Sequence, residues 1–252
     1  MYIAIYSAFF SPTSIAYIKT VIDYLNANQH DFILVDSLRK HLDDKGAAYK
    51  YFKDDQVIEE KVDFLFSVGG DGTLLRSITV IRDTKIPILG INAGRLGFLT
   101  SIKKDTLEEG LDLFFEGKYT NIKRSLLEVS TEKPVDTLEH FRYALNEVSI
   151  NRKNTTSLLS IDARLDDQFL TTYWADGLII ATPTGSTGYS LSSGGPIVSP
   201  SSECLIVNPI APHNINMRPL IVPDKTIFEI SVKGRGKNYL LSLDSRILTI
   251  EN

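Results

Sequence analysis

Residues 62–76 read Val62-Asp63-Phe64-Leu65-Phe66-Ser67-Val68-Gly69-Gly70-Asp71-Gly72-Thr73-Leu74-Leu75-Arg76, and this stretch decides the fold class. Its first half, Val62 to Val68, is a continuous apolar-rich run of strand length, the texture of a strand covered on both faces of a parallel sheet. Glycines punctuate its end, and Leu74 to Ile81 reads as a helix. Glycine at such a turn permits positive φ and lets backbone N–H groups come close to a ligand. The helix N-terminus adds donors and partial positive charge, a combination suited to phosphate. The spacing matches neither the three spaced glycines of the dinucleotide fingerprint nor the Gly-Lys-Ser/Thr of a P-loop. Asp71 is the unusual residue. A carboxylate among phosphate-cradling glycines repels the anion unless it binds a metal or accepts a proton from an attacking hydroxyl. It is also what an Asp-Gly turn places at a helix N-cap. The residues alone leave both readings open.

Working outward, the same texture continues on both sides. Tyr2 to Tyr6 reads as a strand, Thr13 to Ala27 as a helix with Ile15, Ile18, Ile22 and Leu25 on one side, Phe32 to Val35 as a strand, and Ile86 to Ile91 as another. Asp105 to Gly117 reads as a helix with Leu107, Leu111, Phe114 and Phe115 inward and Gly117 as its C-cap. Short apolar strands alternating with helices predict an α/β domain with a parallel, Rossmann-like sheet over residues 1–120. After Lys118 the pattern changes. Ile122–Ser130, Tyr143–Ile150, Leu158–Leu165, Phe169–Tyr173, Gly177–Ala181, Cys204–Val207, Thr226–Val232, Tyr239–Leu243 and Ile247–Ile250 all read as strands. Only Ser186–Ser193 offers much helix. Residues 121–252 are therefore expected to form a β-rich domain.

The chain has 252 residues, long enough for two modest domains with real cores. Its 27 basic and 31 acidic side chains give a net charge of −4, a poor balance for binding nucleic-acid backbones. A single cysteine, Cys204, makes no internal disulfide, and no apolar run approaches the roughly 20 residues that span a bilayer. The apolar N-terminus lacks the basic segment of a signal peptide, so a cytoplasmic location is expected. His30, His41, His140 and His213 show no metal-ligand spacing with Cys204.

Three further segments carry chemistry. Gly90-Ile-Asn92-Ala-Gly94-Arg95-Leu96-Gly97-Phe98-Leu99 follows the next strand, at the sheet edge where open α/β folds place ligands. Asp176-Gly177 leads through a strand into Thr182-Pro-Thr184-Gly185-Ser186-Thr187-Gly188-Tyr189-Ser190-Leu191-Ser192-Ser193-Gly194-Gly195-Pro196. Its hydroxyls and free N–H groups suit ribose and phosphate, and its tyrosine can stack on a base. In Ala144-Leu145-Asn146-Glu147-Val148 a polar pair sits between apolar neighbours. An Asn amide matches an adenine edge and a Glu accepts from ribose hydroxyls, although an ordinary alternating strand gives the same pattern.

Together these segments resemble the NAD kinase family. Gly69-Gly70-Asp71-Gly72-Thr73 is similar to its signature loop, Asn92 to Phe98 to its second loop, and Asn146-Glu147 and Asp176 to Pro196 to the remaining blocks, in the same order. Pro209-Ile-Ala211-Pro212-His213 and Arg218-Pro219 extend the likeness. The Gly-Gly-Asp-Gly-Thr loop alone is shared with diacylglycerol, sphingosine and related kinases and in part with phosphofructokinases. The Asn-Glu pair and the Thr182–Tyr189 run narrow the assignment.

The resemblance implies ATP-dependent phosphorylation of the 2′-hydroxyl of the adenosine ribose of NAD, with Mg2+ accompanying the ATP or another phosphoryl donor. Asp71 would be the general base. Gly72 would frame ribose and phosphates, Arg76 would meet the phosphates, and Phe98 would pack beside the adenine. Asn146 and Glu147 would bind adenine and ribose, and Asp176 the nicotinamide end. Thr187, Gly188, Tyr189, Ser190, Leu191 and Ser192 would line the adenosine pocket, and Ala211 would form a wall of the dinucleotide site. No protein metal cage, nucleic acid or membrane enters this reading, and a homodimer or homotetramer is implied. Family members often carry a basic residue where this chain has Trp174. They also usually continue past Asn252 with a strand and tail, and the residues leave open whether this end is cut or lies at a sheet edge. The competing readings are a related kinase acting on a lipid or sugar hydroxyl, and a nucleotide sensor without catalysis.

Overall fold

The computed structural model describes residues 1–42, 49–54, 56–58, 61–94, 97–136, 138, 141–154, 156–233 and 238–251. The chain divides into two compact units, Met1–Asn121 and Ile122–Asn252.

In the first unit, β1 (Tyr2–Tyr6), β2 (Asp31–Val35), β3 (Tyr51–Phe52), β4 (Phe64–Gly69) and β5 (Ile88–Asn92) form one sheet in the order β3-β2-β1-β4-β5. Every pairing is parallel, as the continuous apolar runs predict. The strand order reverses between β1 and β4, the position at which doubly wound sheets open a crevice beyond their strand ends. Helix α1 (Pro12–Ala27) starts with a reciprocal capping box between Ser11 and Ser14 and has proline in its first turn. It buries Ile18, Val21, Ile22 and Leu25, so the seam runs through Val21, and Ile15 lies at its margin. Helix α2 (Asp71–Ile81) follows β4 directly. Helix α3 (Leu107–Phe115) ends at Gly117, whose φ of +76° and the bonds Gly117 N–H to Phe114 C=O and Lys118 N–H to Leu113 C=O make a Schellman stop. Phe66 and Phe114, both buried, meet edge to face at 5.2 Å between ring centres and fasten α3 to the sheet.

The second unit is β-rich. Its strands are β6 (Leu127–Glu128), β7 (Tyr143–Ala144), β8 (Glu147–Arg152), β9 (Leu159–Leu165), β10 (Gln168–Ala175), β11 (Gly177–Ala181), β12 (Cys204–Ile210), β13 (Leu220–Pro223), β14 (Phe228–Lys233), β15 (Asn238–Leu243) and β16 (Arg246–Glu251). A six-stranded sheet runs β13-β12-β11-β8-β15-β16, a three-stranded sheet runs β10-β9-β14, and β6 pairs with β7. All these pairings are antiparallel. Ile150, Leu178, Ile180, Leu205, Val207 and Leu241 of the larger sheet join Ile161, Ala163 and Tyr173 of the smaller in one core. Strand β11, buried at all five residues, is the centre of the larger sheet. Helix α4 (Tyr189–Ser192) is a single turn that follows a 3₁₀ turn at Thr184–Thr187.

Three expectations need correction. The strand expected over Ile122–Ser130 pairs only at Leu127–Glu128; before it the chain is anchored by side chains, Arg124 on Thr184 and Ser125 on Asp224, in place of a backbone ladder. The strand expected over Tyr143–Ile150 breaks at Leu145–Asn146, whose amides leave the ladder for Asp244. Strand β13, closed by Pro223 and preceded by Pro219, was not expected at all. Among the described residues no helix is long and apolar enough to cross a membrane.

Candidate functional site

The β4–α2 turn is built by packing. The Gly70 backbone is extended at the N-cap, and neither it, Gly69 nor Gly72 has positive φ, contrary to the expected use of these glycines. Gly69 is needed for room, since a side chain there would overlap Thr73. Gly70 has no atom within 4 Å of where a side chain would start, and Gly72 meets only the Phe9 ring at 3.9 Å. The outer surface of the turn is therefore open to a ligand.

Asp71 is the first helical residue, not the cap, and its side chain bonds no amide of its own helix. Its Oδ2 accepts from the Phe98 N–H at 2.8 Å and its Oδ1 from the Leu99 N–H at 3.0 Å. A methyl group on Gly97 would overlap the carboxylate. The second glycine loop thus clamps the carboxylate of the first. The sheet register explains this meeting, for Gly69 lies opposite Asn92 and the Ala93 N–H donates to the Gly69 carbonyl at 3.0 Å. Asn92 closes the loop on itself, accepting from the Gly94 N–H at 2.8 Å and donating to Thr100 at 3.1 Å. Arg95 and Leu96 lie outside the described residues. Phe98 is 75% exposed beside the clamp. Arg76, exposed one turn along α2, has its guanidinium 4.7 Å from the centre of the Phe9 ring. Phe9, in the loop after β1, was missed in the sequence because nothing local distinguishes it from a core aromatic.

In the second unit, Asn146 and Glu147 stand at the start of β8, with Glu147 opposite Ala181 of β11. The hydroxyl-rich run that follows β11 packs onto them. Thr182, fully buried, donates its hydroxyl to the Leu145 carbonyl at 2.6 Å and its amide to the Asn146 carbonyl at 2.8 Å. A side chain on Gly185 would strike the Asn146 backbone, and one on Gly188 would begin 2.8 Å from Glu147 Oε2. Not every hydroxyl faces outward. Ser186 is tied to both backbone groups of Val198, and Ser190 is fully buried with its carbonyl accepting from the Asn208 amide at 2.9 Å. Thr187 is half-buried, while Tyr189, Leu191 and Ser192 are exposed.

Glu147 is only 9% exposed, and burial lifts its carboxyl to about 7. The negative charge of Asp244 adds to that rise, and the Tyr189 N–H opposes it. Glu147 Oε2 and Asn146 Oδ1, on neighbouring residues, are buried without a protein partner. Asp244, in the turn between β15 and β16, was also missed by sequence reasoning, which saw only a turn residue.

Asp176 and Ala211 form a separate group at the other end of β11, where the Asp176 N–H donates to the Ile210 carbonyl at 2.9 Å. Four residue steps of strand, about 13 Å, separate Gly177, next to Asp176, from Ala181 opposite Glu147. Arg152 reaches Asp176 Oδ2 at 3.1 Å and supplies a cation next to the strand that carries Trp174. Ala211 holds φ at +44°, unusual for a side-chain-bearing residue, and Trp174 is 59% exposed. Among the described residues no group of three or more His, Cys, Asp or Glu side chains is placed to hold a metal ion.

Comparison with known proteins agrees across the chain. Residues 18–119 match the ATP-NAD kinase N-terminal domain and residues 145–250 the ATP-NAD kinase C-terminal domain. The NAD kinase of Flavobacterium psychrophilum is 44% identical and that of Christiangramia forsetii 45%, each over 100% of this chain and 87% of the relative. Among solved structures, an NAD kinase from Archaeoglobus fulgidus in complex with ATP matches with a TM-score of 0.77 and 26% identity, over 100% of this chain and 87% of that one. Yeast NADH kinase complexed with NADH shares the fold, with a TM-score of 0.86 and 24% identity over 100% of this chain and 77% of that one.

Proposed function

Since the chain belongs to the ATP-NAD kinase family, we propose that it transfers the terminal phosphoryl group of ATP to the 2′-hydroxyl of the adenosine ribose of NAD, giving NADP. The observation that carries the catalytic assignment is the Asp71 carboxylate, set among ligand-accessible glycines and fixed by the amides of Phe98 and Leu99. A carboxylate held in place by two backbone donors is oriented before substrate arrives. As the ribose oxygen attacks the γ-phosphorus, Asp71 accepts the hydroxyl proton, the bond to the β–γ bridging oxygen breaks and ADP leaves.

Binding is shared among the other residues. Gly72 lets the phosphates approach the turn, and Arg76, steadied on Phe9, meets their charge. Asn146 and Glu147 present their two unpartnered acceptors to adenosine. Thr187, Tyr189, Leu191 and Ser192 offer the facing surface, while Gly188 and Ser190 shape it from within. Asp176 and Ala211 serve the nicotinamide end. On this reading residues 1–120 carry the phosphoryl-transfer loop and residues 121–252 most of the NAD pocket. The single carboxylate on the loop suits a magnesium ion held largely by triphosphate oxygens and water. That ion supplies charge neutralisation on the phosphates. A cytoplasmic homodimer or homotetramer accords with the family.

The test is direct. The purified chain is incubated with ATP, magnesium and NAD, and NADP is read with a dehydrogenase that accepts only NADP. NADP formation is expected. Tight NAD binding without NADP would instead indicate a sensor, and transfer to a lipid or sugar hydroxyl a related kinase.

A further inference from the structure

The turn between β15 and β16 reaches back to the strand end that carries Asn146 and Glu147. Asp244 adopts φ +52° in that turn. Its Oδ1 accepts from the amides of Asn146 at 2.7 Å and Glu147 at 3.2 Å, and its Oδ2 from the amide of Leu145 at 3.0 Å. The Asp244 amide donates to the Glu147 carbonyl at 2.9 Å. Two residues on, the Arg246 guanidinium donates to the Phe141 carbonyl at 2.6 Å and to that of Tyr143, and lies 4.7 Å over the Phe141 ring. One tight turn thus holds segment 141–147 by its N–H groups with an acid and by its C=O groups with a base.

Consecutive amides of a strand point to opposite sides, so three that converge on one carboxylate require the strand to break. The break takes Asn146 out of the ladder just before Glu147 opens β8 opposite Ala181. The arrangement also has a cost, for it sets the Asp244 carboxylate near a second buried carboxylate and raises the energy of an ionised Glu147.

We propose that Asp244 is a positioning residue for the dinucleotide, fixing the backbone of Asn146 and Glu147 so that both side chains engage the adenosine half, without itself touching substrate. This rests on the nucleoside-binding role given above to those two residues. The groups that face the Glu147 carboxyl are Asp244 from the β15–β16 turn, itself balanced by Arg246, and the Tyr189 amide from α4.

The experiment measures initial rates over NAD, ATP and pH for the wild type, Asp244→Asn, Glu147→Gln and the double variant. In Asp244→Asn the KM for NAD is expected to rise about tenfold or more, the scale of one charge-assisted bond. The KM for ATP and the kcat at saturating NAD should stay within about threefold, near the scatter of ordinary surface changes. The acidic limb of kcat/KM for NAD should move to lower pH, because Glu147 loses a neighbouring negative charge. In the Glu147→Gln background the same substitution should add much less, since the two residues act together. Unchanged KM for NAD, an equal rise for ATP, or full multiplicativity in the double variant overturns the role. Ser242→Ala removes a hydroxyl that donates to the Asp244 carbonyl at 3.0 Å; a rise in KM for NAD as large as that of Asp244→Asn would show mere loosening of the turn and also overturn it. If Asp244→Asn does not fold, Asp244→Glu is read in the same way, with a raised KM for NAD alone in support and an unchanged one against. A wild type that forms no NADP brings down the functional reading and this inference with it, whereas an active wild type with an unresponsive KM removes only Asp244.

Discussion

Glu147→Gln should make the β-rich unit more stable at alkaline pH while weakening its hold on NAD. The wild-type carboxyl lies 9% exposed and is lifted from 4.5 to about 7 by burial and then by the charge of Asp244. Because the folded state holds this proton more tightly than the unfolded chain, the group's contribution to stability is complete below about pH 4.5 and is lost as the pH rises through about 7. The difference between 4.5 and about 7 amounts to about 3 kcal/mol. Glutamine is nearly isosteric with the protonated acid and has no charge to bury. The difference in unfolding free energy, variant minus wild type, should therefore start near zero at pH 4.5 and grow to about 3 kcal/mol by pH 8. Urea unfolding at half-unit pH intervals measures it, followed by far-UV circular dichroism and by fluorescence of the single tryptophan. That residue, Trp174, lies in the same unit as Glu147. Wild-type and variant curves that stay parallel across this window, or a variant less stable at pH 8, would refute the assignment of a proton to Glu147. NAD titrations should move the opposite way, toward weaker binding, as expected where a site is kept functional against the preference of the fold.

Three other substitutions probe the remaining geometry. Asp71→Asn should lower kcat about 10²–10⁴-fold with little change in NAD binding by calorimetry, and near-normal turnover would remove Asp71 from its role. Gly97→Ala sets a methyl group against the Asp71 carboxylate and should lower kcat strongly, with no further loss when combined with Asp71→Asn. Full kcat in Gly97→Ala would contradict the clamp. Thr182→Val removes a buried hydroxyl that donates to Leu145 and accepts from the Gly185 N–H at 3.2 Å, and should cost about 1–3 kcal/mol in urea unfolding.

The parallel half of the molecule was readable because strands covered on both faces are largely apolar, as Phe64–Gly69 is apart from Ser67. Two-residue β3 carries too little pattern to be seen, and β13 hides between prolines that usually exclude a ladder. Helix α2 begins three residues before its apolar period because Gly70 and Gly72 obscure its first turn. The site divides in the same way. Asp71 was legible as an out-of-place carboxylate, but its partners are the backbone amides of Phe98 and Leu99, which no side chain announces. Asp244 acts on residues nearly a hundred positions earlier, and Arg152 meets Asp176 only through strand register, so neither leaves a local trace. Nor does a run of hydroxyls tell which ones, such as Ser186 and Ser190, turn inward and support the rest.

If Glu147 and Asp176 bind the two halves of NAD as proposed, their places at opposite ends of β11 would make molecular length a selector. Such a ligand would have to span at least the length of β11, about 13 Å from Gly177 to Ala181, so a single nucleoside would occupy one end and leave the other unused. Joining two nucleoside halves changes the arithmetic. Once one half is seated, the other meets its own contacts at a local concentration in the millimolar range, set by the connecting phosphates. Two individually weak grips would then hold one jointed molecule well, and either fragment should compete poorly against it. Discrimination of this kind would need no residue devoted to rejecting mononucleotides; the spacing along one strand would provide it.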